Sequence, residues 1–419
     1  MTITTAAMWL LLATPKIEVS IGAGVDSNPF ELPEDQLAAE AEQKPKTGAF
    51  IPLGLGAEWK SPARRIFRAG VKGDFDGAFF GYVGQDPDAT EETSASDASM
   101  WTATIAAPLL IDPKQSGRSV WHADIGVEPF FSMNRSTYTS RRTGRPFEMD
   151  GNTAPATDTI VDLSRRLDTN EFGAKVDGDL SVGSLVDLIV GGRYTTVDYV
   201  EDYDGTGDAI DSWDYAETRG DADVYVRPEG FVVAAGYTLR IRDYEERFPR
   251  DVDGNKVRLD DAGYEPQVFT THDVVFKAGI DRDRGRAIVR FRNTRRIDEF
   301  SGYQNYGENS VSGDFRLELA PDTELIFDVG YLVRKYDEQR VDYDPQQSLT
   351  DRRRITIDTG FEWPAFTKWT RLYVTAGLVS QSSASPLYSF VGFHAATGFR
   401  VNWSGRAPRK VGAMPEETP

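Results

Sequence analysis

The sequence carries a two-residue alternation of apolar and polar side chains that recurs along almost its whole length. In Lys16–Asp26, every odd position from Ile17 to Val25 is apolar, and the positions between them are polar or glycine. Successive side chains of a β-strand point to opposite faces, so each such segment has one apolar and one polar face. The alternation therefore predicts strands rather than helices.

Sixteen segments of this kind follow one another along the chain. About nine to eleven residues, tilted by about 45°, suffice to cross a hydrocarbon layer, and these segments are at least about that long. We therefore predict an all-β fold, a transmembrane antiparallel β-barrel of about 16 strands. The predicted strands are Lys16–Asp26, Ala49–Trp59, Ile66–Phe79, Ser99–Leu109, Val120–Met133, Leu167–Val182, Leu185–Tyr199, Trp213–Val226, Phe231–Tyr244, Thr270–Ile280, Arg286–Ile297, Asn309–Leu319, Glu324–Tyr336, Arg352–Trp363, Trp369–Ser380 and Leu387–Trp403.

The links between the predicted strands alternate between short and long. Gly183–Ser184 and Asp281–Gly285 are short, whereas Ser27–Gly48 and Asn134–Arg166 are long and polar. Short turns at one end and long loops at the other are typical of outer-membrane barrels, and a soluble β-sandwich would not show this asymmetry. Both termini are therefore predicted at the short-turn end, which is periplasmic in such barrels.

Composition excludes several other classes of protein. No run of eighteen or more apolar residues occurs, which excludes a helical membrane protein. The chain has no cysteine, so disulfides and thiolate metal sites are ruled out. Its net charge of −19 argues against nucleic acid as a partner.

The two ends of the chain differ from its middle. Residues 1–15 contain a short apolar core followed by small residues, which indicates a signal-peptide-like leader or its remnant, although no Lys or Arg precedes the core. The barrel is predicted to span residues 16–403. Residues 404–419 form a predicted periplasmic tail, which is either disordered or a binding segment for periplasmic or envelope-complex proteins.

Aromatic and apolar positions indicate how the barrel meets outer-membrane lipids. Amphipathic rings collect at the membrane–water boundary, and the predicted girdle is Trp59, Trp101, Trp121, Trp363 and Trp403. Mid-strand residues of the apolar register are predicted to face lipid. They are Ile17, Val71, Ile105, Val176, Val224, Phe276, Phe291, Phe327, Ile357, Val374 and Phe399.

Taken whole, Lys16 to Trp403 resembles the porin-type barrels of Gram-negative outer membranes. The opening motif GAGVDSNPF, Gly22–Phe30, is similar to the first strand and loop of barrels associated with surface-polysaccharide export. Porin-like chains usually end on an aromatic residue, whereas here Trp403 is followed by the tail. The resemblance implies two alternative functions. One is a water-filled channel for small hydrophilic or anionic solutes, and the other is a structural barrel of an envelope-spanning export or motility complex.

The sequence does not predict catalysis or a cofactor. The three histidines, His122, His272 and His394, lie on different predicted strands. His394 falls in the inward register and is the one candidate general base, but no nucleophile can be assigned to it. The alternative is a histidine that is hydrogen-bonded to its neighbours in the lumen. We predict that the protein is not an enzyme.

Two acidic loops offer a candidate calcium site. Alternating carboxylates beside a turn glycine can surround a calcium ion with oxygen ligands. Asp and Gly are equally the residues that exposed turns use, so both interpretations stay open. The candidate ligands are Asp202, Asp204, Asp208 and Asp211 in one loop, and Asp251 and Asp253 before Gly254 in another.

The third long loop, Asn134–Arg166, is the longest. In porins the third loop commonly folds into the barrel and narrows it, and the resemblance implies the same here. The alternative is an extracellular flap that stays outside the lumen. The basic residues predicted at the constriction are Arg135, Arg141, Arg142 and Arg145.

Charged residues of the polar register divide unequally along the chain. Acids dominate the third to eighth predicted strands, opposed by five basic residues, and arginines dominate from the eleventh strand on. We predict two opposite lumen walls with a transverse field between them; the alternative is that each charge pairs with a cross-strand neighbour. The acidic wall is Asp74, Asp76, Asp124, Glu128, Glu171, Asp177, Asp179, Asp187, Asp221 and Asp223, and the basic wall is Arg286, Arg290, Arg292, Arg316, Arg334, Arg352, Arg354, Arg371 and Arg400.

Overall fold

The computed structural model describes residues 15–28, 47–61, 67–83, 98–111, 121–137, 148–149, 161–162, 167–183, 185–199, 213–255, 257, 266–282, 284–340, 349–367, 369–384 and 388–403. Its strands are β1 (Lys16–Asp26), β2 (Gly48–Lys60), β3 (Phe67–Val83), β4 (Met100–Ala106), β5 (Leu109–Ile111), β6 (Trp121–Ser136), β7 (Glu148–Met149), β8 (Val161–Asp162), β9 (Thr169–Val182), β10 (Val186–Tyr199), β11 (Tyr215–Val226), β12 (Phe231–Tyr244), β13 (Val268–Arg282), β14 (Gly285–Asp298), β15 (Tyr306–Ala320), β16 (Thr323–Tyr336), β17 (Arg352–Ala365), β18 (Thr370–Ser383) and β19 (Phe390–Asn402).

The main sheet closes on itself and is therefore a barrel. β1 pairs with β2 on one side and with β19 on the other, from Glu18 opposite Asn402 to Asp26 opposite His394. We call each strand position around the ring a stave. β4 and β5 together form one stave, because both pair with β3 and with β6. The 17 strands of this sheet thus make 16 antiparallel staves, which confirms the predicted fold. β7 and β8 form a separate two-stranded sheet.

Each predicted strand has a counterpart in the structure, with differences at the ends. β3 continues to Val83 rather than ending at Phe79, and β15 begins at Tyr306 rather than Asn309. The fourth predicted strand is interrupted at Pro108, which lacks the N–H that a ladder hydrogen bond needs. The alternation thus placed the strands correctly but could not set their ends.

The two ends of the barrel differ in their connections. At one end, the short-turn end, neighbouring staves join through tight turns in which Gly183 and Asp322 adopt left-handed backbone conformations, with φ of 61° and 62°. At the other, the long-loop end, the links include 27–47, 84–99 and 137–168. Two links there, 299–305 and 384–389, are shorter than the others at that end. Within the described ranges, no helix is long and apolar enough to cross a membrane.

The pairing register gives the barrel an apolar outer face. Of the eleven residues predicted to face lipid, ten are exposed by 37% to 56%, and Ile357 occupies the same register beside Val329 and Leu378. The opposite register carries the charged side chains, and some of these are deeply buried, such as Arg400 at 2% and Glu362 at 5%. Large apolar side chains exposed on one face and enclosed charges on the other identify the apolar register as the outside.

The motif that covers the second half of β1 and the residues after it serves the closure of the barrel. Gly22 faces β19 so closely that a β-carbon would lie 2.4 Å from the carbonyl oxygen of Thr397 and 2.5 Å from the Tyr373 hydroxyl. Beyond the strand, the backbone N–H of Ser27 donates to the Phe393 carbonyl at 2.8 Å. The side-chain amide of Asn28 donates to the Val391 carbonyl at 3.1 Å. The described part of GAGVDSNPF, residues 22–28, therefore helps to hold β1 against β19. We call the contact between these two strands the seam.

Replacing Phe276 by Arg tests the outer face. Phe276 is 52% exposed in the outward register of β13, and an Arg at such a site in a bilayer should cost about 2–4 kcal/mol. Thr238→Arg is the control, because Thr238 faces inward between Asp221 and Asp273. Urea unfolding in lipid vesicles should show a large loss for Phe276→Arg and little for Thr238→Arg. Equal losses would contradict the assignment of the two faces.

Replacing Gly22 by Ala tests the seam. The added methyl group has to displace backbone of β19, so we expect a loss of about 1–3 kcal/mol in the free energy of unfolding. Gly220→Ala is the matched control, because a β-carbon there meets nothing within 4 Å. Unfolding in detergent micelles compares the two variants. A Gly22 variant as stable as the Gly220 variant would mean that the seam tolerates the extra group.

Candidate functional site

The candidate functional site is the charged inner wall of the barrel. The predicted acidic residues lie on β3, β6, β9, β10 and β11, which are among the third to eighth staves. The predicted basic residues lie on β14 to β19, the eleventh to sixteenth staves. In a ring of 16 staves the midpoints of these arcs lie on opposite sides of the lumen. That the two walls act on a solute stays a prediction.

Ion pairs occupy a large part of the basic wall. Arg286 and Arg316 both approach Asp314, at 3.6 Å and 3.7 Å. Cross-strand pairs of this kind neutralise charge locally and weaken any field across the lumen. Further basic-wall pairs among the described residues include Arg334–Glu308 at 2.8 Å, Arg371–Asp322 at 3.0 Å, Arg400–Glu362 at 2.5 Å and Arg400–Glu18 at 3.7 Å.

The acidic half of the lumen contains a row of cations that sequence counting did not reveal. Lys175, Arg193, Arg219 and Arg240 stand directly opposite one another on β9 to β12. Like charges at opposed positions destabilise a sheet, and here each cation has an acidic neighbour. The pairs are Lys175–Glu128 at 3.7 Å, Arg193–Glu171 at 3.3 Å, Arg219–Asp221 at 3.3 Å and Arg240–Asp273 at 3.0 Å. Pairing and division into two walls therefore coexist.

Acids also gather in a row within the basic half. Asp314, Asp328 and Asp358 oppose one another on β15, β16 and β17. The row continues through Gly377 to His394, whose Nε2 lies 3.3 Å from Asp358 Oδ1. The charge of the lumen therefore alternates between rows as well as between walls.

A belt of guanidinium and aromatic groups lines the inner wall at the long-loop end. The Arg242 guanidinium lies 4.2 Å from the ring centroid of Tyr215, and that of Arg334 lies 4.4 Å from Tyr306. Contacts of this kind contribute about 0.5–2 kcal/mol each. We call this set the aromatic–guanidinium belt: Tyr215, Arg242, Tyr244, Phe269, Arg296, Tyr306, Arg334, Tyr336, Arg352 and Tyr388.

The belt changes the interpretation of two predicted basic-wall residues. Arg334 and Arg352 stack on its rings and so brace the barrel wall, rather than standing free in the lumen. The belt was missed, although the sequence carries a signal for it. An arginine two residues before a tyrosine ends both β12 and β16, as Arg242 with Tyr244 and Arg334 with Tyr336.

Arg135 does not lie where the constriction prediction placed it. It belongs to the outward register of β6, opposite Trp101, and its guanidinium lies 5.8 Å from the centroid of that ring. It donates to the Thr169 carbonyl at 2.7 Å and to Asn170 Oδ1 at 2.8 Å. Arg135 therefore braces the outer rim, because the strand's alternation turns it away from the lumen. Arg141, Arg142 and Arg145 lie outside the described residues, and for them the constriction stays a prediction.

The two candidate calcium loops differ in how far the structure describes them. Asp202, Asp204, Asp208 and Asp211 lie outside the described residues. In the other loop, Asp251 accepts hydrogen bonds from the backbone amides of Asp253 and Asn255, at 3.0 Å and 2.8 Å. Hydrogen bonds from Asn255 lower the pKa of this carboxyl. Asp251 thus serves a turn, and no cluster of acids or histidines suited to a metal occurs in the described part of the chain.

The two histidines with described side chains do not form a catalytic pair. His272 Nδ1 lies 2.7 Å from the Tyr237 hydroxyl on the outer face. His394 is paired with Asp358, and within the described residues no serine hydroxyl is hydrogen-bonded to it. The side chain of His122 lies outside the description. His394 thus has the hydrogen-bonded lumen position that the sequence left open.

The predicted tryptophan girdle follows the two ends of the outer face. Trp59 and Trp363 lie near the short-turn end, and Trp403 lies there just beyond β19 with 62% of its surface exposed. Trp101 lies near the long-loop end of β4. The side chain of Trp121 is outside the described residues. Four rings therefore stand where interfaces would meet the barrel.

Comparisons with known proteins give likenesses of fold only. No protein-family model and no curated protein matches the chain. The barrel is similar to the outer-membrane OmpT of Vibrio cholerae, at 10% identity and a TM-score of 0.44 over 93% of this chain and 98% of that one. It is also similar to the anion-selective porin of Comamonas acidovorans, at 10% identity and 0.43 over 93% and 99%.

A third solved structure, OpdK of Pseudomonas aeruginosa with vanillate, gives 10% identity and a TM-score of 0.43 over 94% of this chain and 100% of that one. At such identity these likenesses assign no function to the chain. None of the three names refers to polysaccharide export, so that alternative gains nothing from them.

Arg400 tests whether a basic-wall residue serves stability. It is 2% exposed and pairs with Glu362, which is 5% exposed. Arg400→Ala removes one partner of this buried pair, and such a change costs about 3–5 kcal/mol. Arg371→Ala is the matched control, because its partner Asp322 is exposed and such pairs contribute about 0–1 kcal/mol. Urea unfolding should separate the two variants by several kcal/mol, and similar losses would place Arg400 in a solvated lumen.

Proposed function

We propose that this protein is a passive outer-membrane channel for small hydrophilic solutes, with a preference for anions and with both termini in the periplasm. The observation that carries the proposal is that the two faces of one closed sheet differ in polarity. The outer register is apolar and exposed, and the inner register is charged. A surface of this kind suits a hydrocarbon layer outside and water inside.

Barrel size supports a channel rather than a filled core. Barrels of about 8 strands are just wide enough for side chains to fill, whereas those of about 16 to 18 leave an aqueous passage. This barrel has 16 staves. Many inward side chains are charged and only half-buried, which fits contact with water in the lumen.

The preference for anions rests on arginines of the inner wall that remain exposed. Arg290 is exposed and has no ion pair within the described residues, and Arg227 and Arg286 keep 48% and 40% of their side chains exposed although they approach acids. Guanidinium groups grip carboxylates and phosphates through two parallel hydrogen bonds. Such groups offer a negative solute a path along one side of the lumen.

Planar-bilayer recording tests the channel directly. The purified protein should give stable open conductance, and a salt gradient should give a reversal potential of the sign for anion preference. Replacing Arg290, Arg292 and Arg354 together by Ala should lower the anion-to-cation permeability ratio several-fold, because the replaced guanidiniums attract anions.

The matched variant replaces Asp177, Asp179 and Asp221 by Asn and should move the ratio the opposite way. Absence of conductance from folded protein would overturn the channel. Conductance with no shift in either variant would overturn the role of the walls.

A further inference from the structure

A cavity of about 560 Å³ opens into the inner wall at the short-turn end, between β10 and β14. Cavities of about 300–1,000 Å³ hold most small ligands. Four cations line this one: Arg227, Lys277, Arg286 and Arg290. One carboxylate, that of Asp281, lines it with them. The cavity therefore carries an excess of positive charge.

Within the described residues, two of these four cations lack the neutralising acid that the other two have. Lys277 and Arg290 stand directly opposite each other on β13 and β14. Arg227 and Arg286 approach Asp187 and Asp314, at 3.0 Å and 3.6 Å. By contrast, Lys277 and Arg290 have no ion pair within the described ranges. Since opposed like charges are destabilising, an anion bound between them would offset their repulsion.

Tyr225 fixes the position of the lysine. Lys277 Nζ donates to the Tyr225 hydroxyl at 2.6 Å and lies 4.9 Å from the ring centroid. Arg227 approaches the same ring at 5.2 Å. The ammonium group is therefore held in place, and two of its three hydrogens stay available to a second acceptor. Tyr225 acts as a positioning residue in this arrangement.

The remaining wall of the cavity is apolar, although it faces the lumen. Ile189, Val232 and Ile288 line it from β10, β12 and β14, and all three belong to the inward register. Ile288 stands between Arg286 and Arg290, where the pattern of that strand calls for a polar residue. Val232 and Ile288 are 7% and 8% exposed. A fully hydrated inorganic anion gains nothing from such a surface, whereas an organic body does.

We propose that this cavity is a binding site for a small organic carboxylate, such as an aromatic or branched aliphatic acid. The carboxylate binds between Lys277 and Arg290, and the apolar body packs against Ile189, Val232 and Ile288. The inference rests on the proposed function in one respect, because the solute reaches the cavity through the water-filled lumen. It adds to that function the chemical class of the solute and the place in the barrel wall where the solute binds.

Calorimetric titration of the purified full-length protein in detergent tests the site, with benzoate as the probe. Acetate supplies the carboxylate without the ring, and benzyl alcohol supplies the ring without the charge. Benzoate should bind at least about tenfold more tightly than either, since each lacks one half of the interaction. Lys277→Gln and Arg290→Gln should each weaken benzoate binding by about tenfold. Ile288→Thr should weaken benzoate more than acetate.

Arg295→Gln is the matched control, because Arg295 lies on the same strand but faces outward and pairs with Asp337. It should leave benzoate binding unchanged. Equal affinity for benzoate and acetate would overturn the organic part of the proposal, and benzoate binding that survives Lys277→Gln and Arg290→Gln together would overturn the site. Bilayer conductance of the same preparation decides the channel separately. Normal conductance without benzoate binding removes this site and leaves the channel in place.

Discussion

The structure depends on the pairing of every backbone polar group in the sheet. A strand in a hydrocarbon layer cannot leave a row of N–H and C=O groups unpaired, so the sheet has to close. The ladder between β1 and β19 meets this requirement, and it runs from Glu18–Asn402 to Asp26–His394. Gly22 lets the two strands approach, and Ser27 and Asn28 extend the seam beyond the ladder. The pairing of the first and last strands is therefore as constrained as that of two strands that follow each other in the chain.

Closure also explains how much of this protein could be predicted from its sequence. A closed sheet has one inside and one outside, so a shift of one residue would move every apolar side chain to the wrong face. That is why the alternation located all the staves and the outward residues such as Phe276 and Val374. It could not set register between strands. The row of Lys175, Arg193, Arg219 and Arg240 was therefore invisible, because it exists only once four strands are aligned.

The lumen shows the same limit in its charged residues. Counting placed Arg334, Arg352 and Arg400 together in one basic wall, yet the structure gives them different roles. Arg334 and Arg352 stack on rings of the aromatic–guanidinium belt, and Arg400 is buried against Glu362. These roles depend on side chains from neighbouring staves, which a single strand does not reveal. The prediction for Arg135 was wrong for a local reason. Its place in the alternation of β6 already directs its side chain outward.

Pairing then decides which lumen charges can act on a solute. At physiological ionic strength a charge is screened over about 8 Å, so an anion in the wall cavity senses its neighbours and not the net charge of −19. A cation that already has a carboxylate beside it attracts such an anion less strongly than an unpaired cation does. Within the described residues, Lys277 and Arg290 have no such neighbour, and Ile288 adds an apolar side chain to the same cavity. The proposed selectivity of the lumen therefore rests on a few unneutralised groups beside an apolar surface, not on the total charge of the chain.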